Sequence, residues 1–379
     1  MTRQPIGVMG CLPTMPASFP IDMSENAGNM VHGNAPFEIY PESVFYKDPR
    51  FSWSGQKFDK FVNEECSHLI VTVANFFKIG DENNERYARF QRFLEKFDVP
   101  IVVFGLGAQA PTSDLSGTLP PAAIDLMKYL GDHSEAVGVR GEFTASVFDH
   151  FAGVGNTFVT GCPSFFSRPE AFAKLADAVT TERTGRAAFN GTTYHDPLEK
   201  RMLVRAVQED SHLIEPVNRF TTAYARELQR GVAEPTPPWF LKASIKDGDL
   251  SLSQVERYFS SRFHLFRDTA SWYTFNEESV GFSFGTRFHV NMASMLSGVP
   301  AVWVTHDSRT QELTEYLQVP AITKEEAAEL SSDEIHGRMD YSRTFAALDG
   351  LFDRFNTYLR RHSLRPIEAP DVRFPATAE

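Results

Sequence analysis

The chain is poor in cysteine: Cys11, Cys66 and Cys162 are odd in number and far apart among 379 residues. Neither a disulfide framework nor a zinc cluster is indicated by that spacing. No stretch reaches the roughly 18 uncharged apolar residues that a membrane span needs. Near the start, Pro5, Pro13, Pro16 and Pro20 interrupt the region where a signal peptide requires an unbroken apolar run, which predicts a cytoplasmic protein. Basic residues are in deficit, 37 Lys+Arg against 49 Asp+Glu, and the formal net charge is −12. That balance argues against nucleic acid as a partner, because phosphate neutralisation over a broad face needs a positive surface. An anionic ligand would have to be held in a local basic pocket. Tryptophan (4) and tyrosine (11) are scarce beside 33 phenylalanines, an imbalance that asks for either a phenylalanine-rich core or an apolar binding surface.

What is present is a regular alternation. Short apolar runs at Leu69–Ala74, Pro100–Gly105, Ala136–Val139, Thr157–Thr160, Arg186–Gly191, His212–Val217, Val280–Phe284 and Pro300–Thr305 read as strands buried on both faces. Amphipathic segments lie between them. Asn84–Phe97 places Tyr87, Phe90, Phe93, Leu94 and Phe97 on one face, and Glu142–Ala152 does so with Val147, Phe148 and Phe151 before a capping Gly153. Most of the phenylalanine excess sits on such faces and is assigned to core packing. Strand, helix, strand in repetition predicts parallel sheets with right-handed crossovers. Since one core stops growing at roughly 250–300 residues, the length predicts two domains. They are placed at 1–168 and 185–335, joined across a polar segment, with a helix within 336–364 (about Tyr341–His362) packing across both. Gly231–Ser253 reads as a turn-rich insertion, and Met23–Pro36 as a glycine-containing loop.

Several motifs mislead. Gly105-Leu106-Gly107-Ala108-Gln109-Ala110 spells a dinucleotide fingerprint, yet Pro111-Thr112-Ser113 follows where a helix should open. Gly281-Phe282-Ser283-Phe284-Gly285 spells a hydrolase nucleophile elbow, but its serine falls inside an apolar run instead of after it. Asn190-Gly191-Thr192 and Asp247-Gly248-Asp249 read as turns. No ligand-spaced cluster of His, Asp or Glu argues for a metal.

One local pattern recurs three times. A strand ends, an arginine follows, and a helix begins: Val139-Arg140, Gly285-Thr286-Arg287 with His289 two residues on, and Thr305-His306-Asp307-Ser308-Arg309. A helix start, with free N–H groups and the positive end of the helix dipole, favours an anion such as phosphate or carboxylate. Three such junctions in an acidic chain favour a site.

These segments resemble the polysaccharide pyruvyl transferase family. The family's arginine segment leading to a G-x-P-S stretch is matched by Val139-Arg140-Gly141-Glu142-Phe143-Thr144 and Thr160-Gly161-Cys162-Pro163-Ser164. Its G-x-R-x-H helix followed by G-x-P is matched by Gly285-Thr286-Arg287-Phe288-His289 through Ala293, then Gly298-Val299-Pro300, with Asp307 and Arg309 after the next strand. Pro100–Gly107 and Asn26-Ala27-Gly28-Asn29 look like its early segments. Two departures stand out: Ala74-Asn75-Phe76-Phe77 where the family has a glycine-rich turn, and Arg309 where many members have lysine.

The resemblance implies two Rossmann-like domains in a GT-B-like arrangement with a crossing C-terminal helix. It implies phosphoenolpyruvate as donor, and as product a pyruvate ketal on two hydroxyls of a saccharide, the second domain forming the donor side. Arg140, Arg287, His289 and Arg309 fall on donor positions, with His289 and Arg287 the catalytic candidates, His289 as proton donor. On the acceptor side, Asn26, Asn29, His32 and Asn75 are candidates because amides both donate to and accept from sugar hydroxyls. No metal and no cofactor beyond the phosphoenolpyruvate co-substrate is expected. A lipid-linked acceptor would bring the protein to the inner face of the membrane. Two other readings share the frame: a nucleotide-sugar glycosyltransferase, and a carbohydrate- or anion-binding protein without catalysis.

Overall fold

In a computed structural model, which describes residues 4–20, 25–53, 56–110 and 115–372, the apolar runs fold as strands of two parallel sheets. The first half contributes β1 (Ile6–Gly10), β2 (Ser43–Phe45), β3 (Leu69–Thr72), β4 (Asn75–Lys78), β5 (Ile101–Val103), β6 (Gly107–Gln109), β7 (Val137–Val139) and β8 (Thr157–Val159). Strands β2, β1, β3 and β5 pair in that order, all parallel. A bridge between Leu106 and Val139 then brings β7 and its partner β8 alongside. Beyond their kinks, the chains of β3 and β5 pair again as β4 and β6. β1 has no counterpart among the sequence-predicted strands: its two glycines dilute the apolar signal. Gly7 is nonetheless required, since a Cβ there would stand 2.7 Å from Val62.

The second half holds β9 (Arg186–Asn190), β10 (His212–Ile214), β11 (Phe263–His264), β12 (Val280–Gly285), β13 (Ala301–Thr305) and β14 (Ala321–Thr323). Their order is β11-β10-β9-β12-β13-β14, parallel throughout. This is the doubly wound dinucleotide-fold order, which reverses between β9 and β12. In the first sheet the order reverses between β1 and β3. Ligands in such folds bind where the order reverses, at the carboxyl ends of the strands, and both reversals lie on the walls of cavities.

Helices α1 (Asn29–Ile39), α2 (Asn84–Leu94), α3 (Glu142–Ala152), α4 (Phe288–Met295), α5 (Ser308–Leu317) and α6 (Ser342–Arg361) frame the site. The expected loop over Met23–Pro36 is corrected by α1, which carries Gly33 and Pro36 inside it. Gly33 lets the helix approach the turn after β1, where a Cβ would meet the Cys11 carbonyl oxygen at 2.6 Å. Met23 itself lies outside the described residues. The insertion Gly231–Ser253 contains a helix, Trp239–Lys246, and is not turn throughout. Asp247–Asp249 does turn, with Gly248 at φ +87°.

The last helix returns to the first half. Tyr358 donates to the Val103 carbonyl at 2.6 Å, Arg354 Nε to Val159 at 3.0 Å, and Phe355 stacks on Phe166 with centroids 4.3 Å apart. Phe165, Phe166, Phe172, Phe352 and Phe355 are all buried at this junction, each contributing roughly 1.5–3 kcal/mol of burial. The two halves with this returning helix form the GT-B-like architecture. Among the described residues, no helix is long and apolar enough to cross a membrane.

Candidate active site

The carboxyl ends of β9 and β12 open onto a cavity of about 180 Å³ between the halves. Asn190, the last residue of β9 and fully buried, holds the two strand ends together: its Oδ1 accepts from Arg287 N at 2.8 Å, and its Nδ2 donates to Phe284 O and Asn291 Oδ1. Asn190-Gly191-Thr192 therefore ends a core strand. Gly285 has φ +145°, and a Cβ there would stand 1.8 Å from the Asn190 carbonyl oxygen, so only glycine closes this strand pair. Glu199, also buried, accepts from the N–H groups of Thr192 and Thr193 and from Thr286 Oγ1.

Arg287 is the N-cap of α4 and its side chain makes no capping bond to the first turn, so the positive end of the helix faces the cavity. Its Nε donates to Gly191 O at 2.8 Å and one terminal nitrogen to Thr192 O at 3.2 Å, 4.0 Å from Glu215. Burial pushes the Glu215 carboxyl up, while Arg287 and the N–H groups of Val217 and Asn218 hold it down.

Arg309 arrives on α5 paired to its neighbour Asp307, Nε to Oδ2 at 2.7 Å. Burial would raise the Asp307 carboxyl, but Arg309 and His306 outweigh it and bring it down to about 2. Asp307 also caps α5 through Thr310 N at 2.9 Å. From the same helix Glu312 crosses to the first half and accepts from Thr144 N at 2.9 Å, capping α3 from outside. The halves are thus joined at the rim by a carboxylate on a helix N-terminus.

The first half supplies Arg140, which is 2% exposed. Its Nε donates to Gly105 O at 2.9 Å and Nη1 to Asn75 Oδ1 at 2.6 Å, whereas Nη2 is buried and has no partner among the described residues. Gly107 makes room for this pair, since a Cβ would sit 2.9 Å from both Arg140 Cδ and Asn75 Oδ1. The glycine pattern of 105–110 therefore serves an arginine: Gly107 opens β6, not a helix. Pro111–Ser113, which follow it, lie outside the described residues.

His289, near the start of α4, contacts Cys162 through Nε2 at 3.5 Å, and Cys162 in turn approaches His32 Nδ1 at 3.6 Å and Ser164 Oγ at 3.0 Å. Burial, then Arg140 and Arg309, hold His289 well below the usual imidazole range, so beside these two cations it is neutral. Burial pushes the Cys162 thiol up, against Arg140 and Ser164. The ligand atoms of His32, Cys162 and His289 lie within 4.8 Å of one another, the kind of grouping that could hold a metal ion, drawn from three distant segments. Arg140 stands close enough to lower both imidazoles, and a cation placed there would face its guanidinium.

Four sequence-predicted residues, Arg140, Arg287, His289 and Arg309, line the one cavity, and Asn26, Asn29 and Asn75 line its first-half wall. Asn26 folds its Oδ1 back onto Gly28 N at 2.9 Å. His32, expected on an acceptor surface, is instead fully buried behind Cys162 and His289, because α1 turns it inward. Sequence reasoning missed His306 and Thr192 on the cavity wall and Cys162 beneath it. For Cys162 a signal existed, its place inside the G-x-P-S stretch. Ser283 is buried within β12 and bonded to Asn291, which leaves no nucleophile elbow.

The family model for polysaccharide pyruvyl transferase matches residues 30–308. The chain belongs to this family. Of the polysaccharide pyruvyl transferase segments, those carrying Arg140, Cys162, Arg287 and His289 lie inside the match and Arg309 one residue past it. No curated protein matches. Among solved structures, a UDP-GlcNAc 2-epimerase of Methanocaldococcus jannaschii is similar at 10% identity and a TM-score of 0.38, covering 86% of this chain and 92% of that one. An α,α-trehalose-phosphate synthase of Burkholderia vietnamiensis is similar at 10% identity and a TM-score of 0.40, covering 95% and 100%.

Proposed function

We propose that this polysaccharide pyruvyl transferase uses phosphoenolpyruvate to build a pyruvate ketal on a saccharide. The observation that carries the reading is the buried Nη2 of Arg140, without a partner among the described residues, set in a cavity that Arg287, Arg309 and the start of α4 also line. A buried guanidinium donor without a partner is costly. A small dianion with two anionic ends would satisfy it. In this scheme phosphate and carboxylate bind the arginines and the helix start, with Arg287 supporting the charge that moves to the phosphate. Their negative charge raises the imidazole of His289, which becomes the acid that protonates the methylene carbon. A sugar hydroxyl oxygen bonds to the adjacent carbon and its proton restores His289. The carbon–oxygen bond to phosphate breaks with its electron pair. A second hydroxyl then closes the ketal, its proton leaving on phosphate. His289, Arg287, Arg140 and Arg309 are the donor residues, and Asn29 and Asn75 the wall facing the acceptor. The test is phosphate release from phosphoenolpyruvate in the presence of a panel of hexosides. Acceptor-dependent release, together with a melting shift by phosphoenolpyruvate and none by nucleotide sugars, is expected. A shift by nucleotide sugars alone would sink the reading.

A further inference from the structure

A second cavity, about 600 Å³, opens where the strand order of the first sheet reverses, between the ends of β1 and β3. It shares Asn29, Ala74 and Asn75 with the arginine-lined cavity, so the two meet at one wall. Its character is different. Phe76, Phe90, Phe93 and Tyr46 line it, each only half-buried, while Tyr87 and Leu94 on the same α2 helix are fully buried. The rings are held in place: Phe76 and Phe90 have centroids 4.7 Å apart, Tyr46 and Phe93 6.5 Å, and the Arg86 guanidinium covers Phe76 at 4.5 Å while bonding its carbonyl. Arg89 lines the same cavity, is exposed, and has no ion pair or hydrogen bond among the described residues.

We infer that this cavity is the acceptor subsite and that it takes an anionic saccharide: a pyranoside with its C–H face against Phe76 and Phe90, and a phosphate or carboxylate reaching Arg89. This rests on the pyruvyl-transfer reading above. A half-buried aromatic wall beside a few convergent polar groups is the composition of a ligand pocket, whereas a core would have buried those rings fully. The apolar face of a pyranose suits a flat ring, and its hydroxyls, at the shared wall, would meet the amides of Asn29 and Asn75. Arg86 is already engaged by Phe76, so among the described lining residues, which include one carboxylate, Glu25, Arg89 is the cation left for the anion. The anion's source, a sugar phosphate of the kind that links a saccharide to a lipid or a uronic acid within the chain, is left to the probes.

The experiment compares methyl hexosides, hexose 1-phosphates and methyl hexuronides. Each is tested by saturation-transfer NMR without donor and by initial rates of phosphate release with phosphoenolpyruvate. Phe90→Ala is expected to raise the acceptor KM about tenfold, the worth of one aromatic contact, while the phosphoenolpyruvate KM stays unchanged. Arg89→Ser, at an exposed position where folding is not at stake, is expected to raise KM for one anionic class and leave methyl hexosides unaffected. Which class responds identifies the source. Release that both variants leave unchanged overturns the subsite while the pyruvyl-transfer reading stands. Binding that Phe90→Ala abolishes, without release from any probe, overturns that reading and leaves the subsite. Failure of every probe to bind overturns the subsite.

Discussion

The junction after β7 and the junctions after β12 and β13 share one local pattern, a strand handing an arginine to a helix, yet their arginines end in different states. Arg140 is buried with one nitrogen unpartnered among the described residues. Arg287 is tied to backbone carbonyls, and Arg309 carries its own counter-ion in Asp307. The difference lies in what each cation would lose or gain when an anion arrives. Arg140 gains most, because its desolvation is already complete; Arg309 gains least, because it exchanges one carboxylate for another ligand. The sharpest break of this ranking is Arg140→Lys, which removes the planar fork bonded to Gly105 and Asn75. A fall of about 100- to 1,000-fold in kcat/KM for phosphoenolpyruvate is expected, read by steady-state kinetics. A loss no greater than that of Arg309→Ala would overturn it.

Next in size is His289, whose neutrality follows from burial and the two nearby arginines. An acid must be protonated to act, so activity falls as pH rises through its pKa. For the free enzyme, read in kcat/KM, that fall comes well below the usual imidazole range; with the dianion bound, read in kcat, it moves upward. The two profiles are expected to separate, and Arg309→Ala to shift the kcat/KM limb to higher pH. Coincident profiles would remove His289 as the acid, as would a His289→Ala loss below about 100-fold.

Arg309→Ala and Asp307→Asn should act with opposite signs. The first weakens phosphoenolpyruvate binding by about tenfold or less. The second frees the guanidinium while asparagine still caps α5, and is expected to lower the phosphoenolpyruvate KM by about two- to fivefold with melting unchanged.

The smallest effect lies outside the cavity, on α1. Burial pushes Glu38 up to about 7, although Ser167, Arg168 and Asn34 oppose it. Between about 4.5, its ordinary value, and about 7 the folded chain holds a proton that the unfolded chain has lost, so stability falls as pH rises through that window. Glu38→Gln should flatten this decline by about 1–3 kcal/mol in denaturant titrations at pH 5 and 7.5. An unchanged slope would show that Glu38 is not the group responsible.

Much of this was legible from local pattern. Continuous apolar runs predicted β3, β5, β7 to β10, β12 and β13, because a strand covered on both faces has no polar side to interrupt it; the short β4, β6 and β11 carry no such run and were not predicted. The strand–arginine–helix junctions predicted Arg140, Arg287 and Arg309, because the start of a helix is a property of a few consecutive residues. Periodicity predicted that Phe90 and Phe93 share a face with Tyr87 and Leu94. It could not say that this face is sealed at Tyr87 and Leu94 and opens onto a cavity at Phe90 and Phe93, since sealing depends on what packs opposite. The phenylalanine excess assigned to cores therefore divides between core and cavity wall.

The sequence by itself determined the parallel-sheet architecture, the types of residue at each strand end, and a net charge of −12 that confines any anion to a pocket. Only the tertiary structure decided that Cys162 touches His289, that Gly107 makes room for Arg140 and Asn75, that Glu312 caps a helix of the other half, and that His32 points inward. Each of these joins segments 30 or more residues apart in the chain, and local preferences carry no information about which distant group will fill a given space.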